Sequence, residues 1–309
     1  MTDIRRNVVF HEYALSPFSE KVRRVFGYKK IAYHSVEQPM WMPKPHLTPL
    51  TGGYRRIPVM QVGADVYCDT ALIVRKLDAM YPDPTVVPAD LAGAVHATEQ
   101  WADKQLFMAC VPLVFTTLAS LLPPELIEDR KKMRPELDMK VLEKGVPYCL
   151  TSLTAACGRL EATLLNSPFV LGDRFTAADA AIYHCLWFAR NADPGAKVLA
   201  KFPSVGVWMQ RLEQFGAGDL AKMSPDDALA LAKRSEPSDL PTSPRSEPDP
   251  TGVAVGDGVA VCADDLPQDV FRGTVVAITA DELVIERKTD DLGRLWQHFP
   301  RVGYLIQRS

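Results

Sequence analysis

The stretch SPFSEKVRRVF, residues 16–26, decides how the first part of the chain folds. A small hydroxyl residue stands directly before a proline, and Val22, Val25 and Phe26 then recur at helical spacing. Ser16 therefore reads as an N-cap and Pro17 as the first helical residue, where the amide hydrogen that proline lacks would have had no intrahelical partner. Working outward, NVVFHEY (7–13) reads as a strand before the helix and IAYHSVE (31–37) as a strand after it. QPMWMPKPHLTPLTGGYRR (38–56) is too rich in Pro and Gly for a long regular element and is expected to be loop. IPVMQV (57–62) and DVYCD (65–69) flank Gly63-Ala64 as a hairpin, and TALIVRKLDAMYP (70–82) is a helix stopped near Pro82. The sum is a compact α/β unit over residues 1–85.

From residue 92 to 232 the pattern changes to long helical segments parted by PPE, NSP, NADPG and FPS, which predicts an all-helical domain. Its clearest start signal is GDRFTAADAAIYHCLWFA (172–189), where Thr176 can cap and Asp179, three residues on, can return a hydrogen bond to the Thr176 amide. Residues 233–251 are dominated by Pro, Ser and charge and read as a linker. About five short segments follow with Gly or acidic turns, and their spacing predicts a small SH3/tudor-like β-barrel over 252–309.

The 309 residues are 47% hydrophobic and 24% charged, the composition of a globular chain that needs no metal or disulfide framework. A net charge of -3 argues against a broad polyanion-binding surface. In residues 252–309, six Lys/Arg stand against nine Asp/Glu, so nucleic-acid binding is a poor default there too. The six cysteines occur singly, with no CxxC pair and no Cys/His metal spacing, and read as buried free thiols in a reducing cytoplasm. No apolar run reaches the length of a membrane span, so no membrane partner is expected.

Two readings of Ser16 remain open on the residues alone. One is plain capping. The other uses the same physics: unpaired amides at the start of a helix favour an anion, and a hydroxyl donor beside them can stabilise a thiolate and lower its pKa. No base and orienting group are legible that would make Ser16 itself a nucleophile.

At this point the chain resembles the glutathione S-transferase superfamily. SPFSEKVRRVF is similar to its first-helix motif, RRIPVMQ to the strand entered through a cis-proline, CDTALIVRKLD to the segment that grips the γ-glutamyl end, and LGDRFTAADAAIYH to the capping box of the second domain. The likeness covers roughly residues 7–215 in order. It implies a thioredoxin-like N-terminal domain, an all-helical second domain, a homodimer, and glutathione as co-substrate with no tightly bound cofactor. Ser16 falls where serine-type members place the thiol-activating hydroxyl and omega-like members a cysteine. Ile57 would pair with the cysteinyl part, with Pro58 holding the turn in the cis form. Asp69 and Thr70 fall where the family usually has an acidic residue, typically Glu, followed by Ser, and would take the γ-glutamyl ammonium and carboxylate; Asp for Glu shortens the reach and Thr for Ser adds a methyl. Lys44 matches a lysine that contacts the glycyl carboxylate, and Arg55 and Arg56 are rival partners for the same charge.

The resemblance places a second-substrate wall between the first two domains, with Phe18, Met40 and Trp41 on one side and Trp101, Gln105 and Met108, at helical spacing, on the other. Each of these also fits plain core packing. Glu99 and Asp103 read as a solvated or interdomain ion-pairing couple rather than a metal site. Trp296, Phe299 and Tyr304 are either barrel core or an aromatic recognition pocket, and the barrel itself suits assembly, covering the ligand cleft or recruiting a protein partner. The expected function is activation of the glutathione thiol for attack on a small, mostly apolar electrophile. The alternative is a noncatalytic binding or scaffold protein of the same fold.

Overall fold

A computed structural model describes residues 8–134, 137–241 and 248–309. The first elements follow the expected order: β1 (Val8–Glu12), α1 (Pro17–Lys29), β2 (Ala32–Glu37), a one-turn α2 (Thr48–Thr51), β3 (Val59–Val62), β4 (Asp65–Cys68) and α3 (Thr70–Met80). The helices α4 (Ala92–Gln100), α5 (Phe107–Thr117), α6 (Pro124–Met133), α7 (Met139–Leu164), α8 (Ala177–Arg190), α9 (Asp193–Leu199) and α10 (Pro203–Glu213) come next, with a π-helical turn at Trp101–Leu106 between α4 and α5. The helical run expected to reach residue 232 stops earlier. A strand, β5 (Asp219–Lys222), precedes α11 (Pro225–Lys233), and β6 (Gly258–Ala263), β7 (Leu266–Ile278), β8 (Glu282–Thr289), β9 (Gly293–Pro300) and β10 (Tyr304–Arg308) complete the chain. The residues group into two compact units: 8–19, 32–73 and 219–309 form one, and 20–31 with 74–218 form the other. None of the described helices is long and apolar enough to cross a membrane.

The first unit is built on one ten-stranded sheet in the order β10-β6-β7-β8-β9-β4-β3-β1-β2-β5. β1 is parallel to β2 and antiparallel to β3, and β3 and β4 form the expected hairpin. β5 extends one edge, running parallel to β2. On the other side, β9 lies parallel to β4, with Asp65 opposite Trp296, Val66 opposite Gln297 and Tyr67 opposite His298. The five strands expected as a separate small barrel are present, and β10 does return to pair with β6. Their other end joins β4, so they also extend the first domain's sheet. The physical reason is the bare edge that the β3–β4 hairpin would otherwise present, a row of unpaired backbone groups that β9 satisfies.

Trp296, Phe299 and Tyr304 are all buried, which decides for the core over a recognition pocket. Phe299 stacks on Phe271 at 5.7 Å between ring centroids, with Tyr304 at 5.3 Å. On the other face of β9, His298 is fully buried between two carboxylates, its Nε2 3.0 Å from Asp65 Oδ1 and its Nδ1 2.6 Å from Glu282 Oε1. Burial opposes charge on this ring, but the hydrogen bonds and charges of Asp65 and Glu282 outweigh it and push the imidazole pKa up. The ring also stacks on Tyr67 at 4.3 Å, and the Tyr67 hydroxyl donates to Asp239 at 2.6 Å. The Ser238 amide donates to Asp65 at 3.0 Å. Part of the expected linker is thus laid along β4; its residues 242–247 lie outside the described residues.

His11 on β1 has the opposite chemistry. Its Nε2 donates to Gln61 Oε1 at 2.9 Å, Gln38 Nε2 donates to its Nδ1 at 3.2 Å, and Gln61 passes its own amide hydrogens to the carbonyls of Gly63 and Ala228. This chain of donors requires a neutral ring, and burial pushes its pKa down from 6.5 to about 4. On the same side, Val9, Val36 and Ala228 form a small cluster with Met223 and Leu231, which seats α11 on the sheet.

In the second unit, the capping box of α8 forms as read. Asp179 accepts from the Thr176 amide at 3.0 Å, the Val170 amide at 2.9 Å and Trp208 Nε1 at 3.0 Å, so one buried carboxylate ties the start of α8 to the preceding loop and to α10. Glu99 and Asp103 depart from the solvated reading. Lys21, fully buried on α1, lies 3.1 Å from Glu99 and 2.7 Å from Asp103, and Asp103 also meets His184 Nε2 at 3.0 Å. The π-helical turn inserts its extra residue between the two carboxylates. Burial alone would discharge Lys21, but the paired carboxylates outweigh it and hold the ammonium. Five of the six cysteines are buried and none is disulfide-bonded.

Two predictions follow from this packing. Lys21→Met leaves Glu99 and Asp103 buried without their cation and is expected to lower stability by about 3–5 kcal/mol in urea unfolding. For His11, the unfolded ring binds a proton that the folded ring refuses between pH 6.5 and about 4, so acidification through that window destabilises the fold. His11→Asn should flatten this acid limb when urea midpoints are compared at neutral and mildly acidic pH; an unchanged slope would refute the neutral assignment.

Candidate functional site

The start of α1 lies at the end of β1, and its first turn is organised by Ser16. The Ser16 amide donates to Tyr13 O at 3.0 Å, and Ser16 Oγ accepts from the Ser19 amide at 3.1 Å, so the capping role read from the sequence is realised. Ser16 is 1% exposed. Among the described residues its hydroxyl hydrogen meets no acceptor, and the fully buried Ser19 Oγ one turn on has no partner at all. The opening turn of the helix therefore carries hydroxyl capacity that the protein does not consume.

Ile57-Pro58 is cis, as the resemblance implies. Pro58 is buried and starts the sheet at β3, while Ile57 is half-buried. Neither the amide nor the carbonyl of Ile57 has a partner among the described residues, which leaves a short stretch of backbone able to pair with an extended peptide. Across the hairpin, Asp69 adopts a left-handed conformation with φ 81 and accepts from the Ala71 amide at 2.9 Å. Thr70, 5% exposed, begins α3. The register that places Val59 opposite Cys68 sets Asp69 and Thr70 beside the Ile57-Pro58 turn. Ser16, Ile57, Pro58, Asp69 and Thr70 all belong to the first unit.

The cations expected at the far end of a ligand are differently disposed. Lys44 is 3% exposed; its ammonium donates to Pro39 O and stands 5.9 Å from the centre of the Tyr13 ring. Arg55 is half-buried. Arg56 Nη2 lies 2.5 Å from Asp265 Oδ1, a carboxylate from the turn between β6 and β7. Sequence reasoning missed that partner because Asp265 is 209 positions away and sat in a domain expected to be separate. It likewise missed Arg287 of β8, which donates to the carbonyls of Pro49 and Leu50 at the end of α2, at 3.3 and 3.2 Å. Gly52 at that end has φ 62, and a Cβ there would lie 2.6 Å from the Arg287 guanidinium carbon, so both the backbone and the arginine demand glycine.

Of the proposed second-substrate wall, Phe18, Met40 and Trp41 are half-buried near the start of α1 and after β2. Trp101 and Gln105 lie within the π-helical turn and Met108 just after it. In that turn the Phe107 amide donates to Ala102 O; Gln105 is exposed and Trp101 and Met108 are half-buried. Cys68, next to Asp69, offers no nucleophile: it is fully buried, and burial pushes its thiol well up.

Comparison with known proteins agrees with this architecture. The family model for the glutathione S-transferase N-terminal domain matches residues 10–85, and that for the glutathione S-transferase C-terminal domain matches residues 124–211. Among solved structures, a GST-like protein from Pseudomonas syringae is 33% identical with a TM-score of 0.82, covering 98% of this chain and 99% of that one. A rice glutathione S-transferase in complex with glutathione is 17% identical with a TM-score of 0.51, covering 72% of this chain and 94% of that one. A glutathione S-transferase from Sinorhizobium meliloti is also 17% identical, TM-score 0.51, covering 67% and 87%. Those two likenesses concern the fold alone. Comparison with curated protein sequences returns no match. With both domain models in order and a relative alike over nearly its whole length, the chain belongs to the glutathione S-transferase superfamily.

Proposed function

We propose that the protein is a glutathione-binding transferase of the serine type, which steadies the glutathione thiolate at Ser16 for attack on a small, mostly apolar electrophile. The observation that carries this reading is the pairing of two unspent capacities in one unit: the Ser16 hydroxyl hydrogen at the start of α1, and the Ile57 amide and carbonyl beside the cis-proline. A tripeptide paired with Ile57 sets its γ-glutamyl carboxylate toward the Thr70 amide at the start of α3, with Asp69 offering charge to the ammonium. Its thiol then meets the start of α1. The thiol proton leaves to solvent, Ser16 donates to the sulfur, and the dipole of α1 favours the anion, so the nucleophile is present at neutral pH. The sulfur lone pair forms the new bond to the electrophile as the leaving group departs. Phe18, Met40 and Trp41 are the apolar groups of this unit assigned to the electrophile. The family's habit of dimerising makes a homodimer the expected assembly, and its members' co-substrate, glutathione, serves beside the electrophile with no tightly bound cofactor.

One observation favours a second reading, a noncatalytic glutathione-fold binding protein: Lys44 and Arg56, the cations assigned to the ligand, are both engaged by protein acceptors. Calorimetric titration with glutathione separates the two, combined with thiolate absorbance of the bound ligand. The wild type is expected to bind saturably and show the thiolate band; Ser16→Ala is expected to retain binding, lose the band, and lose about 1 kcal/mol of stability with its cap. No binding by the wild type at millimolar glutathione would decide for the second reading.

A further inference from the structure

The turn joining β6 to β7 is Asp264-Asp265, fixed at its tip by the Asp264 amide donating to Gly303 O at 2.9 Å. It holds the Asp265 carboxylate 2.5 Å from the Arg56 guanidinium, one residue before the Ile57 backbone that is open to a peptide. A tripeptide whose first residue is held at Thr70 and whose middle residue pairs with Ile57 directs its last residue along the segment preceding Ile57, where Arg56 stands. Its terminal carboxylate would there meet a cation already paired with Asp265. Lys44 offers no easy substitute, because its ammonium is buried against Pro39 O. Arg287 is likewise committed to the end of α2.

We propose that Asp265 is a specificity-determining residue of this peptide site: it supplies to Arg56 the carboxylate that the glycyl end of the ligand would otherwise bring. The site therefore takes glutathione whose glycyl carboxylate is masked as an amide or ester in preference to the free acid. The inference rests on the glutathione-binding reading above and deepens it by naming the ligand class. With its guanidinium already held by the Asp265 carboxylate, Arg56 has less charge to offer a further carboxylate, whereas a neutral group at that end meets no second acid in competition for it.

The test titrates the full chain with glutathione and with its glycyl monoethyl ester, for the wild type, Asp265→Asn, and Asp265→Asn combined with Arg56→Gln. The wild type is expected to bind the ester at least as tightly as the free acid. Asp265→Asn, which releases Arg56, should tighten binding of the free acid by about tenfold while leaving the ester unchanged, and the added Arg56→Gln should abolish that gain. A wild type that prefers the free acid, or an acid-to-ester ratio that Asp265→Asn does not move, overturns the proposal and leaves the glutathione reading standing. Failure of both ligands to bind the wild type removes the glutathione reading itself, and this inference with it.

Discussion

The outer edge of β4 carries backbone donors and acceptors that the β3–β4 hairpin alone leaves bare, and β9 covers them in parallel register. That contact makes the C-terminal strands part of the first unit instead of an appended module. Its hydrogen bonds are reinforced by His298, whose two ring nitrogens face Asp65 on one neighbouring strand and Glu282 on the other. An imidazolium buried between two carboxylates is costly to form and strongly directional once formed, so it fixes which residues of β4 and β9 stand opposite one another. A slip of one residue would carry His298 away from Asp65 and leave that buried carboxylate only the backbone amides of Ser238 and Asp239.

The same docking decides the environment of the proposed peptide site. Once β9 is on β4, the β6–β7 turn and Arg287 come to the loop between β2 and β3, where they engage Arg56 and the end of α2. A segment whose composition suggested an independent function therefore alters the charges next to Ile57. It reaches the Ile57 end of the first unit through fixed charges, without contributing to the first turn of α1, where Ser16 and Ser19 lie.

The local elements were legible because each is specified over a short span. Ser16 before Pro17, the Gly63 turn, and Thr176 with Asp179 each set their geometry through neighbours within a few residues, and each forms as read. The cis peptide at Pro58 was legible only through the motif around it. What escaped was long-range. Nothing in Asp219–Lys222 reads as a strand, since all four residues are exposed and the segment is held by hydrogen bonds to β2 alone. Lys21, Glu99 and Asp103 look like surface charges one at a time and become a buried ion cluster only when α1 and the π-helical turn are brought together. The six-residue π turn at Trp101–Leu106 likewise leaves no mark in composition.

The strand order has a consequence for how the chain is made. Both flanks of the hydrogen-bonded core β4-β3-β1-β2 are completed by segments that emerge late from the ribosome: β5 after the whole helical unit, and β9 only within the last twenty residues. Until then the nascent protein presents two open strand edges while a large helical unit is already able to collapse. A message truncated shortly before β9 would encode a chain with intact helices and a permanently exposed β4, a species suited to chaperone retention or self-association through that edge.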